Sequence, residues 1–326
     1  MKKISLLLCG ILFITQQSFS QGEGAPFVTV FTNFNYDLSP AADIQDLIGT
    51  RDDFKAFEIK RAYLGYKYDF DDNLSAKVTF DIGSNSGGSD YTAYLKIASL
   101  NWKASENISL NMGMIGTKNF KFMEKSWGLR YIEKSAMDKY KWASSADAGI
   151  SMDYKLMDGL SIDAQLINGE GYKNTQDDFG LLRYGVGLTY ELGDLSFRVF
   201  RDNFGSETDI YQNITTAAAS YSMGNLNIGG EKNIMTNASN IEDQSKDITS
   251  FYGSFKLNEK YSVFARMDNV SSEDDWNIDK DGTYAIGGIE RKVTQGVKLA
   301  INIQSWKGLT NSGSDETLFM NLECKF

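Results

Sequence analysis

The sequence predicts an all-β fold, a transmembrane antiparallel β-barrel of 16 strands, and three observations point to it. Apolar and polar residues alternate at a period of two along segments of about ten residues. Helical spacing is nearly absent, and tight turns alternate with long polar connections. No apolar stretch beyond residue 20 is long enough for a membrane helix, so hydropathy alone describes a soluble secreted chain, and a water-soluble sandwich also gives such alternation. Strand length, the apolar face and the short-long rhythm of connections together favour the barrel.

Residues 1–20 read as a signal peptide. Lys2 and Lys3 form a positive start, Ile4 to Ile14 an apolar run, and Ser18 and Ser20 supply the small residues of a cleavage site before Gln21. Residues 21–326 then form one barrel domain, and Cys324 loses Cys9 as a conceivable disulfide partner. The first strand carries Val28, Val30, Phe34 and Tyr36; the second Ala62, Leu64, Tyr66 and Tyr68; the third Leu74, Ala76, Val78, Phe80 and Ile82. Arg61, Lys67, Ser75, Lys77, Thr79 and Asp81 stand between them, so one face is greasy and the other polar. In the fourth strand Ala93, Leu95 and Ile97 give way to Leu100 and Trp102, a phase slip that predicts a β-bulge near Ala98.

The pattern continues in Ile108 to Met114, Ala148 to Tyr154, Leu182 to Tyr190, Tyr261 to Met267 and Val297 to Ile303, and is least regular near 213–233 and 283–292. The closing strand runs Leu318, Met320, Leu322, Cys324, Phe326, which would place Cys324 against lipid. Seven tight turns fall at residues 71–73, 105–107, 157–159, 193–194, 224–225, 258–260 and 294–296. Eight longer segments lie near 38–53, 84–90, 117–146, 169–179, 205–212, 236–246, 271–282 and 307–314. Tyr66, Tyr68 and Phe70, beside the first turn, fit an interfacial aromatic girdle or plain β-propensity.

Composition excludes several functions. With no His, imidazole nucleophile pairs and imidazole zinc sites are impossible, and no enzyme activity is expected. A net charge of −10, or −12 without Lys2 and Lys3, argues against nucleic acid as a partner. The third long loop reverses that sign. Lys118, Lys121, Lys125, Arg130, Lys134, Lys139 and Lys141 face only Glu124, Glu133 and Asp138. Folded into a lumen, such a loop makes a cationic constriction that attracts anions; left outside, its lysines are merely solvated or meet lipopolysaccharide phosphates. Its aromatic residues, Trp127 and Tyr131 among them, favour a packed loop.

By strand parity Arg61, Lys77, Lys96, Arg183, Arg198, Arg266 and Lys298 also point into the lumen, with Arg61, Lys96, Arg198 and Arg266 nearer mid-height than most acidic companions. A water-filled interior also tolerates mixed charge without selecting anything. Asn277 to Gly282 matches the opening of a calcium loop, but its twelfth position is Gly288 rather than Glu, so an acidic outer loop is expected and no metal or cofactor. The glycine-rich 83–88 segment is a loop, since no helix follows to make a phosphate cradle.

Phe57-Glu58-Ile59-Lys60-Arg61-Ala62-Tyr63-Leu64-Gly65-Tyr66 resembles the first hairpin of the phosphate-selective porin O and P family. Gly116 to Phe120, followed by Tyr131 to Ser135, resembles its third-loop signature, and Asn168 to Gly171 a further element. The resemblance implies a barrel in the outer membrane of a Gram-negative bacterium, in contact with lipid and lipopolysaccharide. It implies homotrimers and passive diffusion of small anions, phosphate in the best-known members. Two departures bear on phosphate. Asn119 stands where the family commonly has Pro, and Lys134 where it has Arg, whose bidentate fork Lys lacks. An unselective general porin shares every feature of the fold.

Overall fold

The computed structural model describes residues 22–39, 54–83, 91–205, 207–311 and 313–326. The signal peptide, its cleavage point, Cys9, most of the first long loop and residues 84–90 lie outside them. Sixteen antiparallel strands close into one barrel. They are β1 (Glu23–Asp37), β2 (Lys55–Asp69), β3 (Leu74–Ile82), β4 (Ala93–Lys103), β5 (Ile108–Gly116), β6 (Ala146–Met157), β7 (Leu160–Ile167) and β8 (Arg183–Leu192). The second half comprises β9 (Leu195–Phe204), β10 (Gln212–Met223), β11 (Leu226–Thr236), β12 (Lys246–Lys256), β13 (Tyr261–Ser272), β14 (Gly282–Thr294), β15 (Val297–Gly308) and β16 (Asp315–Lys325). All seven predicted turns and all eight predicted loops separate strands, including the irregular stretches that became β10, β11 and β14.

Closure satisfies the backbone. β1 pairs with β16 from Thr29↔Lys325 to Asp37↔Thr317, and Val28 and Phe326 exchange N–H···O bonds of 2.7 and 3.1 Å. The sheet has no open edge, which is what a strand-built membrane span requires. The alternation then sorts side chains by face. Leu64, Val78, Phe80, Leu100, Met112, Ile150, Val186, Leu188, Ile301 and Met320 are exposed on the outer surface. Asn33, Thr79, Asp81, Ser151, Asp163, Asn302 and Asn321 are buried on the inner one. Tyr66 stacks on Tyr68 with ring centroids 6.4 Å apart, and Tyr68 meets Phe70 edge-on at 4.9 Å.

Two irregularities shape the lumen. The bulge in β4 falls at Lys96 rather than Ala98, because the register with β3 passes from Thr79↔Ile97 to Phe80↔Leu95. A second bulge, not anticipated, is at Lys60 in β2, where Phe31↔Arg61 is followed by Thr32↔Ile59. Each inserts an extra residue that turns a lysine inward beside an already inward neighbour. Its signal was present: Phe57 and Ile59 are out of phase with Ala62 and Leu64.

The inner face is not polar throughout, as the alternation had suggested. On β10 to β15 it carries Ile214, Met235, Ile248, Tyr252, Phe264, Val270, Tyr284, Ile286 and Ala300, all buried. This accounts for the irregular pattern near 213–233 and 283–292: strands covered on both sides lose strict alternation.

If the outer face meets acyl chains, Leu188→Arg at mid-strand should destabilise the barrel by roughly 2–4 kcal/mol. Reversible urea unfolding from lipid vesicles measures this, and a change near zero would remove lipid from that face.

Candidate functional site in the lumen

β5 ends at Gly116 after only 9 residues, and the chain turns inward instead of continuing to the rim. Helix α1 (Lys118–Trp127) and the single turn α2 (Ala136–Lys139) occupy this third loop. α1 buries Phe120, Met123 and Trp127 while Lys121 and Lys125 stay exposed, the spacing of an amphipathic helix. Gly128 ends it in the left-handed region, φ 72°, with its N–H bonded to the Glu124 carbonyl at 2.9 Å. The sequence reading foresaw a packed loop but not a helix.

The loop's apolar side packs on the apolar inner wall of β10 to β15. Trp127 meets the rings of Tyr252 and Phe264 edge-on at 5.6 and 6.5 Å. Tyr131 and Ile132 lie against Phe31, Tyr284 and Ile286, while Met123, Met137 and Trp142 pack around Ile214, Met235 and Ile248. Hydrogen bonds fix the ends of this contact. Asn119 donates to Thr216 Oγ1 at 2.9 Å and accepts from Arg198 Nε at 3.2 Å. The Tyr131 hydroxyl donates to Glu290 at 2.9 Å, Lys60 Nζ to the Ile132 carbonyl at 2.8 Å, and Arg266 to the Lys134 carbonyl. The bulged lysine of β2 is thus a loop anchor.

Charge is balanced locally. Glu133 accepts from Lys139 Nζ at 3.1 Å and from the Lys134 N–H at 2.8 Å. Burial by itself would raise this carboxyl, but Lys60, Lys139 and that N–H hold it well below the usual carboxylate range. Arg130 spans Glu124 at 3.1 Å and Asp138 at 3.5 Å, and Lys134 Nζ lies 3.5 Å from Asp138.

The wall cations meet their carboxylates side by side instead of separating by height. Arg61 and Lys96 share Asp81. Arg183 pairs with Asp202 at 3.2 Å, Arg198 with Asp163 at 2.6 Å, Arg266 with Asp268 at 2.7 Å and Lys298 with Glu290 at 3.2 Å. Lys77 is exposed and sits 4.9 Å from the Phe27 ring. Of the loop candidates, Lys118 is buried and bonded to Asp153 at 2.5 Å, and Lys125 lies 3.8 Å from Glu191.

A polar cavity of about 290 Å³ remains on the other side of the loop. Arg61, Lys134, Lys141 and Lys173 line it, against Asp138 and Glu170. Lys141 and Lys173 are exposed, and among the described residues neither has a carboxylate within salt-bridge distance. Lys173 lies 4.9 Å from the Tyr94 ring and Lys96 5.3 Å from that of Tyr172, whose hydroxyl donates to Asp81 at 2.7 Å. Sequence reasoning missed Lys60 and Lys173; the first was hidden by the bulge, the second by its place in a different loop. In the calcium-like segment, Asp281 accepts from the Ser272 backbone N–H at 2.8 Å and from its hydroxyl.

A closed sixteen-stranded barrel with a helical loop folded inward is the architecture of outer-membrane porins. Solved structures bear out the likeness. OmpF of Salmonella typhi, solved with daunomycin, is 11% identical over 94% of this chain and 98% of that one, with a TM-score of 0.71. The outer membrane channel DcaP of Acinetobacter baumannii is 12% identical over 95% and 99%, TM-score 0.68. An anion-selective porin from Comamonas acidovorans is 12% identical over 94% and 100%, TM-score 0.67. The chain therefore has the sixteen-stranded porin fold. No family profile matches the sequence and no curated protein does, so these likenesses do not single out the phosphate-selective class.

Glu133→Gln should free the loop by leaving Lys60 and Lys139 without their anion, at a cost of about 3 kcal/mol. Limited proteolysis within 117–146 reads this directly. Because the folded pKa of Glu133 is depressed, its contribution is full above the ordinary Glu value of about 4.3 and declines as pH falls below it towards the lowered one. Protection of the wild-type loop should therefore weaken on acidification in a way that Glu133→Gln does not.

Proposed function

We propose that this protein is an outer-membrane porin, a passive channel for small hydrophilic solutes, and that its constriction favours anions. The observation that carries the preference is the cavity beside the loop, where four cations face two carboxylates and two of those cations have no acidic partner among the described residues. In the lumen below the loop, Asp153 and Glu191 keep about half of their side-chain surface exposed, 49% and 55%, which supports a solvated path on the polar side of the barrel. A solute passing there is held by lysine and arginine side chains acting as charges and hydrogen-bond donors. No bond is made or broken.

A second reading, an unselective general porin, is favoured by the pairwise neutralisation of the wall cations. Of the fold relatives, one is described as an anion-selective porin and another simply as an outer membrane channel. Phosphate is the finer expectation from the sequence resemblance, and homotrimers belong with it. The closed barrel and its apolar outer face support the outer membrane as its location.

Planar-bilayer recording in a KCl gradient separates these readings. The wild-type reversal potential should carry the sign of chloride preference, and Lys141→Glu with Lys173→Glu should lower the anion-to-cation permeability ratio several-fold at unchanged folding. A wild-type potential near zero leaves the general porin. Block of chloride current by low concentrations of phosphate would add a phosphate site.

A further inference from the structure

The cavity beside the third loop has a second wall, supplied by the fourth long loop. Gly169 and Gly171 take positive φ, 106° and 82°, so the chain turns sharply where a side-chain-bearing residue would be strained. Asp147 accepts from the Gly169 N–H at 2.7 Å, the Tyr172 N–H donates to the Ala146 carbonyl at 3.0 Å, and the Tyr172 hydroxyl is fixed on Asp81. These bonds set Glu170, Lys173 and Asn174 against the returning arm of the third loop, which supplies Lys141, Ser144 and Ser145.

Positive charge is in excess at one locus of this cavity. Lys141 and Lys173 have no carboxylate partner among the described residues, and Arg61 and Lys96 share Asp81 alone. Partial loss of water, then Arg61, Lys96 and Lys141, hold the Lys173 ammonium below the usual lysine range, with Asp81 opposing them. Those cations therefore act on one point. Glu170 stands apart from it: desolvation, Asp177 and Asp147 raise its carboxyl, and no lysine is among the groups that act on it. Among the described residues its carboxylate makes no hydrogen bond or ion pair, and Ser145 Oγ and Asn174 Oδ1 are also without partners. The volume, about 290 Å³, is at the small end of the ~300–1,000 Å³ typical of small-molecule sites, which is room for an organic solute.

We propose, resting on the anion-preferring reading above, that this cavity takes a sugar monophosphate, its phosphate at Lys141 and Lys173 and its hydroxyls at Glu170, Ser145 and Asn174. Two unmatched ammonium groups at one point suit a single doubly charged group, and a phosphate monoester carries about −1.5 to −2 at pH 7. A free carboxylate repels an inorganic anion; it is useful only to a solute that brings a donor. An ammonium donor would satisfy Glu170 alone, whereas Ser and Asn side chains both donate and accept, as hydroxyls do. Inorganic phosphate fills the cationic point and leaves the other three groups to water.

The test is planar-bilayer recording of chloride current through the full barrel, titrated with glucose 6-phosphate, inorganic phosphate, glucose and tartrate. Glucose 6-phosphate should block the wild type at a concentration roughly tenfold below that of inorganic phosphate, and glucose should not block. Glu170→Ala should bring the two phosphates to within about twofold of each other, by weakening the ester and relieving repulsion of the inorganic ion. Lys141→Gln with Lys173→Gln should weaken both. Heat-modifiable gel mobility shows that each variant is folded. Equal block by the two phosphates in the wild type, or none by either, overturns the proposal. So does a ratio that Glu170→Ala leaves unchanged, which marks a carboxylate that repels every anion alike. Block by tartrate as strong as by the ester also overturns it, since two separated carboxylates would then serve as well as one phosphate. The reversal potential in KCl alone separates this from the reading it rests on. A chloride-sided potential with equal block removes only the sugar phosphate, whereas a potential near zero removes the anion preference and the proposal with it.

Discussion

The need to bond every backbone N–H and C=O within the lipid governs this structure. Water is absent from the hydrocarbon layer, and an unsatisfied peptide group there costs several kcal/mol. Joining β1 to β16 removes the last free edge, and a closed sheet leaves side-chain parity only two directions, one to lipid and the other to the lumen. The two bulges show how little freedom remains. An extra residue in a closed sheet cannot slide away, so Lys60 and Lys96 are forced inward, where one anchors the loop and the other joins Arg61 around Asp81.

The inward loop makes the lumen lopsided. Its apolar face is matched to a sector of inner wall that is itself apolar, and the contact is sealed by buried aromatic pairs and by bonds such as Asn119 to Thr216. Neither surface is tolerable alone in a water-filled barrel, because each exposes large aromatic area. They are stable only together. The sector opposite, on β2 to β8, carries Ser, Asp, Asn and Lys on its inner face, so packing on one side leaves the polar surface on the other.

The barrel was readable from sequence because a period of two, turn residues and loop lengths are local signals, and local signals survive in a membrane sheet. Cation partners were less so. Parity correctly turned Arg198 inward but says nothing of Asp163, a residue on another strand that meets it only after register is set. The apolar inner wall looked like noise in the pattern of β10, β11 and β14, since its cause, a loop from far away in the chain, is a tertiary contact. Lys60 was obscured because a bulge changes parity at one residue without changing composition.

An acidic chain can still present a cationic throat, because an ion in the lumen responds to neighbours and not to totals. At physiological ionic strength the screening length is about 8 Å, so carboxylates on outer loops and turns act weakly at the constriction. Inside it, protein walls lower the effective dielectric and strengthen each nearby charge. Asp138 and Glu170 have a place in that balance. Four cations around one small cavity repel one another, and two acids relieve the repulsion; on the proposed reading, Lys141 and Lys173 are left to act on the solute. A throat with every cation matched would pass either sign equally, and one with none matched would hold an anion too tightly to release it; partial matching is the condition under which selection and flow coexist.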